Sequence, residues 1–273
     1  ITHSGELNAN SIEIDQQGSI RIFAQQDINL EANSITSADN SVGDAGDIEI
    51  KSLHGTTEVA GQVTAYSEQG AGGHVEILGY HVGLIDHALV SASGKLAGGE
   101  VLIGGDNRGE NPEVMNAEAT YVGDQVSISA DATVTGDGGK VIVWSDGTTR
   151  VHGSISATGG SESGDGGFIE TSGHYLEVTS TPDATATNGQ GGSWLLDPYN
   201  ITIVETSTTN NSNRPDFTPT SSGSVIEHDD IQDALDDNVD VTIDTGVDGN
   251  EDGDVTFAYY ILHSTSLGDS PTF

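Results

Sequence analysis

The chain has 273 residues, 43 of them acidic and seven basic, for a formal charge of -36 at pH 7, and it contains no cysteine. That balance repels a phosphate backbone or an anionic membrane surface, which excludes nucleic acid as a direct partner, and without cysteine there is neither disulfide nor thiolate chemistry. No apolar run approaches the ~18 residues of a membrane helix, so no membrane insertion is expected, and the carboxylate excess suits surroundings where salt or divalent cations screen it.

Short period-2 segments open the chain: Ser11 to Ile14, Ser19 to Phe23, Asp27 to Leu30 and Ser34 to Thr36, separated by polar or glycine turns. A glycine corner then recurs. Its last glycines are Gly46, Gly73, Gly99, Gly139, Gly167 and Gly192, at spacings of 27, 26, 40, 28 and 25 residues. The second and fourth residues after each are Ile48/Ile50, Val75/Ile77, Val101/Ile103, Val141/Val143, Ile169/Thr171 and Trp194/Leu196. All but Thr171 are apolar, and the pleat puts each pair on one face of a strand. Equivalent strands at a fixed interval imply coils that bury one another's inner faces, an all-β parallel solenoid. The corners need little bulk and positive φ, which glycine supplies. Alternation turns Val141 and Val143 inward and Trp144 outward, and Trp194 plugs the core.

The 40-residue interval carries an insertion over 106–120, which holds Arg108 and the one methionine, Met115. Insertions of this kind lie outside the solenoid as loops, either as a binding loop or as a cover for its flank. After residue 206 the pattern changes. Residues 207–224 are rich in Ser, Thr, Asn and Pro and read as a linker or an excursion. A small α/β extension follows over 225–273. It starts with a short helix, 229–237, with Ile231, Ala234 and Leu235 on one face, and ends with a β-hairpin of strands 239–245 and 255–261. The β-helix proper then covers 1–206.

Several phrases in order resemble the large exoproteins of two-partner secretion, typified by filamentous haemagglutinin. They are Val101-Leu-Ile-Gly-Gly-Asp106, Thr120-Tyr-Val-Gly123, Gly138-Gly-Lys-Val-Ile-Val-Trp-Ser-Asp-Gly147, Gly164-Asp-Gly-Gly-Phe-Ile-Glu-Thr-Ser-Gly-His174 and Gly191-Gly-Ser-Trp-Leu-Leu-Asp-Pro-Tyr-Asn-Ile-Thr-Ile203, within residues 40–262. The resemblance implies a right-handed parallel β-helix, secreted to the bacterial cell surface through an outer-membrane partner transporter, and is strongest with biofilm and surface adhesins. The group's amino-terminal secretion domain is not recognisable here, so the chain resembles an internal segment of a longer fibre. An integrin-binding Arg-Gly-Asp is absent too, since Arg108-Gly109 is followed by Glu110.

Chemistry is sparse. The nine histidines are scattered, and nucleophile elbows, metalloprotease helices and P-loops are missing from the sequence. A polysaccharide lyase, the enzyme class that shares this architecture, needs a basic residue inside an acidic cluster. Arg21, Lys51, Lys95, Arg108, Lys140, Arg150 and Arg214 are too dispersed to supply one. One metal candidate stands out: Asp248, Asn250 and Asp252 occupy positions 1, 3 and 5 of a calcium-loop pattern, followed by Gly253, Asp254 and Val255. Tyr259 stands where a bidentate Glu belongs, so the stretch reads as a calcium site or as an acidic turn. Arg108 and the outward Trp144 are the candidate contacts for a surface glycan or biofilm polysaccharide. The expected function is a non-enzymatic adhesive shaft segment, with the stalk of a contact-dependent toxin-delivery protein as the alternative.

Overall fold

The computed structural model describes residues 1–14, 16–205, 215, 217, 218, 223–245 and 253–261. Its strands stack in parallel on three faces, giving a parallel β-helix. The first face is built from Ser19–Ala24, Asp47–Ser52, His74–Leu78 and Glu100–Ile103, followed by the leading halves of Lys140–Val151 and Phe168–Val178, then Ser193–Asp197 and Asp240–Ile243. The second begins with Thr2–His3, Ile28–Leu30, Thr56–Val59, His81–Leu84 and Ala119–Val122, and continues through the trailing halves of the two long strands. A third, six-stranded face runs from Glu6–Asn8 to Ser154–Ser156.

Register follows the corner glycines. Ile48, Val75, Val101, Val141, Ile169 and Trp194 form one inward column, and Ile50, Ile77, Ile103, Val143, Thr171 and Leu196 form the next. All twelve are fully buried. Thr171, the polar exception, accepts the indole N–H of Trp194 at 2.9 Å. The exception therefore satisfies a donor that the largest core side chain would otherwise bury unpaired.

Of the two reasons expected for the corner glycines, small bulk holds and positive φ does not. Of the corner residues only Gly136 and Gly164 have positive φ, 86° and 120°; the six repeating glycines do not. What excludes a side chain is contact between coils. A Cβ on Gly73, Gly99, Gly139, Gly167 or Gly192 would overlap the carbonyl oxygen of the equivalent glycine one coil earlier. The six N–H groups then donate to Ala38, Ala65, Ala92, Ala130, Ala157 and Ala184 within their own coils, at 2.7 to 2.9 Å. These alanines are all buried, so each coil closes on itself through a bare glycine and a methyl group.

Near the carboxyl end the path leaves strict order. Ser193–Asp197 stacks on Phe168–Val178 as expected, but Ile201–Val204 does not pair with the second-face half of Phe168–Val178. Ser224–Glu227 lies between them, pairing Glu177 with Val225 on one side and Thr202 with Val225 on the other. The helix His228–Asp236 then takes the position in the circuit that a third-face strand holds in earlier coils, and it buries Ile231, Ala234 and Leu235 as its periodicity predicts. Asp240–Ile243 pairs in parallel with Ser193–Asp197, and Val255–Phe257 with Ile201–Val204. The two do not pair with each other, so in place of the expected hairpin the extension continues the stack. The alternating segment Ser11 to Ile14 likewise forms no strand. Apart from a bridge between Ser11 and Asn40 it turns the corner, leaving Ile12 and Ile14 exposed.

The steric role of the corner makes a measurable difference between glycines. Gly99→Ala is expected to cost about 3 kcal/mol or more in denaturant unfolding, because backbone must move to admit the methyl. Gly5→Ala, with nothing within 4 Å of the new carbon, should stay within about 0.5 kcal/mol of the parent. Equal effects at the two positions would refute the steric ladder.

Candidate functional site

The inserted loop leaves the first face after Ile103 and rejoins the second at Ala119. It contains a single 3-10 turn, Asn107–Gly109, started by Asp106, whose carboxylate accepts the Asn107 N–H at 2.7 Å. Beneath it runs the outward column of the first face, Leu102, Ile142, Glu170 and Leu195, all of them buried. In this respect the insertion covers a flank.

Glu170 anchors the loop. Its carboxylate accepts the Asn107 amide at 2.6 Å and the Arg108 backbone N–H at 3.0 Å. Burial pushes its pKa up to about 7, against the lowering effect of bonds from Arg108, Ser172 and Asn107. Arg108 has φ of 55°, which sets its backbone over Glu170 while its guanidinium reaches Asp244 at 2.7 Å and Asp197 at 3.8 Å. Asp197 is raised to about 6, chiefly by burial, with Arg108 opposing. Arg108, a candidate ligand contact, is thus engaged in tying the loop to two further coils.

Trp144 faces outward, as alternation predicts, and is half-buried. A Cβ on Gly105 or Gly109 would strike its indole ring, so the loop lies on the ring through two glycines. Its Nε1–H donates to Asp146 at 3.1 Å, and Asn116 in the loop donates to the same oxygen at 2.8 Å. Trp144 and Arg108 sit on the same face but in separate roles, one as a platform under the loop and one as a tether.

Beside the loop, scarce cations separate stacked carboxylates. Lys140 Nζ lies 2.8 Å from both Glu100 and Asp106. Burial pulls its pKa down, but bonds to Asp106 and Glu100 outweigh this and hold it above its ordinary value. His74 sits 2.9 Å from Glu76 and from Glu100; burial disfavours its charge, yet the two carboxylates push its pKa up to about 10.

The second face is crossed by another segment. Phe217 stacks on His81 with ring centroids 4.7 Å apart and planes at 10°. Together with Pro215 it rests on Gly83, the one place in that outward column without a side chain. The carbonyl of Thr218 accepts from Arg150 at 3.2 Å. Part of the 207–224 stretch is therefore an excursion laid back over earlier coils, leaving a groove of about 700 Å³ toward Asp27, Asn29 and Glu58.

Of the calcium candidates, Asp248, Asn250 and Asp252 lie outside the described residues. Asp254 donates its backbone N–H to Asn200 at 2.7 Å. Among the described residues no group of three or more His, Asp or Glu side chains is placed to hold a metal ion. The corner acids act as turn parts. Asp44 accepts the N–H of Ala71, Asp137 that of Asp165, and Asp165 that of Gln190, each from the following coil. Sequence reasoning missed the anchors Glu170, Asp197 and Asp244. A signal was present at Glu170, an acid in register with Leu102 and Ile142.

The chain is similar to the crystal structure of the HMW1 secretion domain from Haemophilus influenzae. The two share 32% identity with a TM-score of 0.59, over 72% of this chain and 49% of that one. The chain thus spans about half the length of this neighbour. No protein-family model matches it, nor does any curated protein sequence.

Raised carboxyl groups fix the sign of a pH effect at the loop. The fold favours neutral Glu170, a contribution complete below pH 4.5 and lost as pH rises through about 7. Between those limits the parent should lose about 3 kcal/mol more stability than Glu170→Gln, read from paired urea titrations. A constant offset between the two chains would contradict the buried-carboxylate assignment. His74 should remain an imidazolium at pH 8 by NMR, whereas His81 and His152, which burial lowers, should be neutral there.

The likeness falls on a secretion domain, a part not recognised from the sequence, and it agrees with the resemblance to two-partner secretion exoproteins that the sequence phrases carry.

Proposed function

We propose that this chain is a non-enzymatic, structural and adhesive segment of a large exoprotein, carried across the outer membrane by a partner transporter and acting at the cell surface in attachment or biofilm cohesion. The observation that supports the export part of this reading is the 32% identity with a secretion domain over 72% of the chain. The likeness to that domain extends the reading beyond a passive shaft, since a segment of this kind is itself a candidate for engaging the transporter. The architecture suits such a route. Each coil rests on the one before it, so a chain emerging unfolded can build its structure outward from an existing edge. The surface suits an external setting, where a charge of -36 is screened by salt.

Export is the direct test. The exoprotein, expressed with and without its partner barrel, should reach the medium or the cell surface only with the barrel, and removing residues 1–205 should abolish that transfer. Equal release in the absence of the barrel would overturn the export reading. Adhesion is checked separately, by retention of cells on immobilised polysaccharide with and without the chain.

A further inference from the structure

Strand order at the carboxyl end carries an inference that rests on the pairing alone and not on the proposed function. On the second face the stack runs from Tyr175–Val178 within the long strand to Ser224–Glu227, then Ile201–Val204, then Val255–Phe257. On the first face it runs Phe168–Ser172, Ser193–Leu196, Asp240–Ile243, in chain order. Ile201–Val204 has therefore risen one layer early. The slot directly above Tyr175–Val178 is filled by a strand that follows it by the 19 residues from 205 to 223.

Both strands fit that slot. Ile201–Val204 turns Ile201 and Ile203 inward, and Ser224–Glu227 turns Ser224 and Ile226 inward, so each offers the alternation that the edge at Leu176 and Val178 accepts. Until Ser224–Glu227 is in place, Ile201–Val204 has no partner below it except Tyr175–Val178. An unpaired edge of parallel backbone is the nearest template available, and closing a short connection precedes closing a long one. What favours the later strand is what comes with it. The Ser224 hydroxyl accepts the Leu176 N–H at 2.9 Å, and the helix that follows buries Ile231, Ala234 and Leu235.

We propose that this edge works as a strand-exchange latch: Ile201–Val204 first pairs with Tyr175–Val178, and Ser224–Glu227 then displaces it upward by one layer as the helix docks. The two states share all earlier coils and differ in which strand covers Glu177. In the first Thr202 lies beside Glu177, and in the second Val225 does. The exchange makes completion of the stack depend on residues beyond 223, so coil-by-coil growth pauses at a defined point.

The chain has no cysteine to interfere with a crosslinking test. Two full-length variants are refolded from urea and oxidised in pulses, Glu177→Cys with Thr202→Cys and Glu177→Cys with Val225→Cys. In the native order 177 and 225 are neighbours, whereas 177 and 202 are two strand spacings apart, roughly 9.5 Å and beyond disulfide reach. The latch predicts that the 177–202 crosslink rises first and falls as the 177–225 crosslink appears. A 177–202 signal at background throughout, with 177–225 forming first, would overturn it. Should either variant fail to reach the native state, pulsed hydrogen exchange on the unaltered chain reads the same order. Protection of 201–204 ahead of 224–227 supports the latch, and simultaneous or reversed protection refutes it.

Discussion

Close approach of backbone to backbone at the glycine corner is the constraint on which the rest of this molecule depends. With Gly46, Gly73, Gly99, Gly139, Gly167 and Gly192 in register, each coil settles on the carbonyl of the last without a side chain between them. Strand pairing at hydrogen-bonding distance on three faces is possible only if the corners are equally thin. From that spacing follow the inward columns, the buried alanines that accept the corner N–H groups, and the outward columns on which the loop and the excursion lie.

In-register stacking also sets an electrostatic problem. Identical positions in successive coils sit one strand spacing apart, where like charges repel. In a chain with 43 acids and seven basic residues, the cations must be placed with economy. Lys140 stands between Glu100 and Asp106, His74 between Glu76 and Glu100, and Arg108 near Asp197 and Asp244. Many remaining acids are neutralised in a different sense. As acceptors for N–H groups of the next coil, Asp27, Asp39, Asp44 and Asp137 perform a backbone task that the pleated ladder leaves open at the corners.

How much of this could be read from the sequence depended on whether a property was local. The second and fourth residues after each glycine named the core columns because pleat and repeat are local rules. Trp144 and Trp194 were separated by the same alternation. Which of the two reasons for the glycines applied was not legible, since steric exclusion by the coil below looks identical in sequence to a demand for positive φ. The loop was visible as an interruption of the period, but its anchors lie 62 and 136 residues away, at Glu170 and Asp244. Strand order near the end was beyond reach for a simpler reason. Ile201–Val204 and Ser224–Glu227 carry equivalent alternation, so nothing in either says which slot it fills.

Solenoids usually obey a one-dimensional rule, in which each repeat feels only its neighbours and fraying spreads from an end one repeat at a time. Here Phe217 stacked on His81 and Arg108 paired with Asp244 join parts of the stack that are not adjacent. Such staples make the energy of opening one coil depend on coils several layers away. A load applied along the axis would then be shared across the stapled block, and the stack would yield as a unit instead of peeling strand by strand.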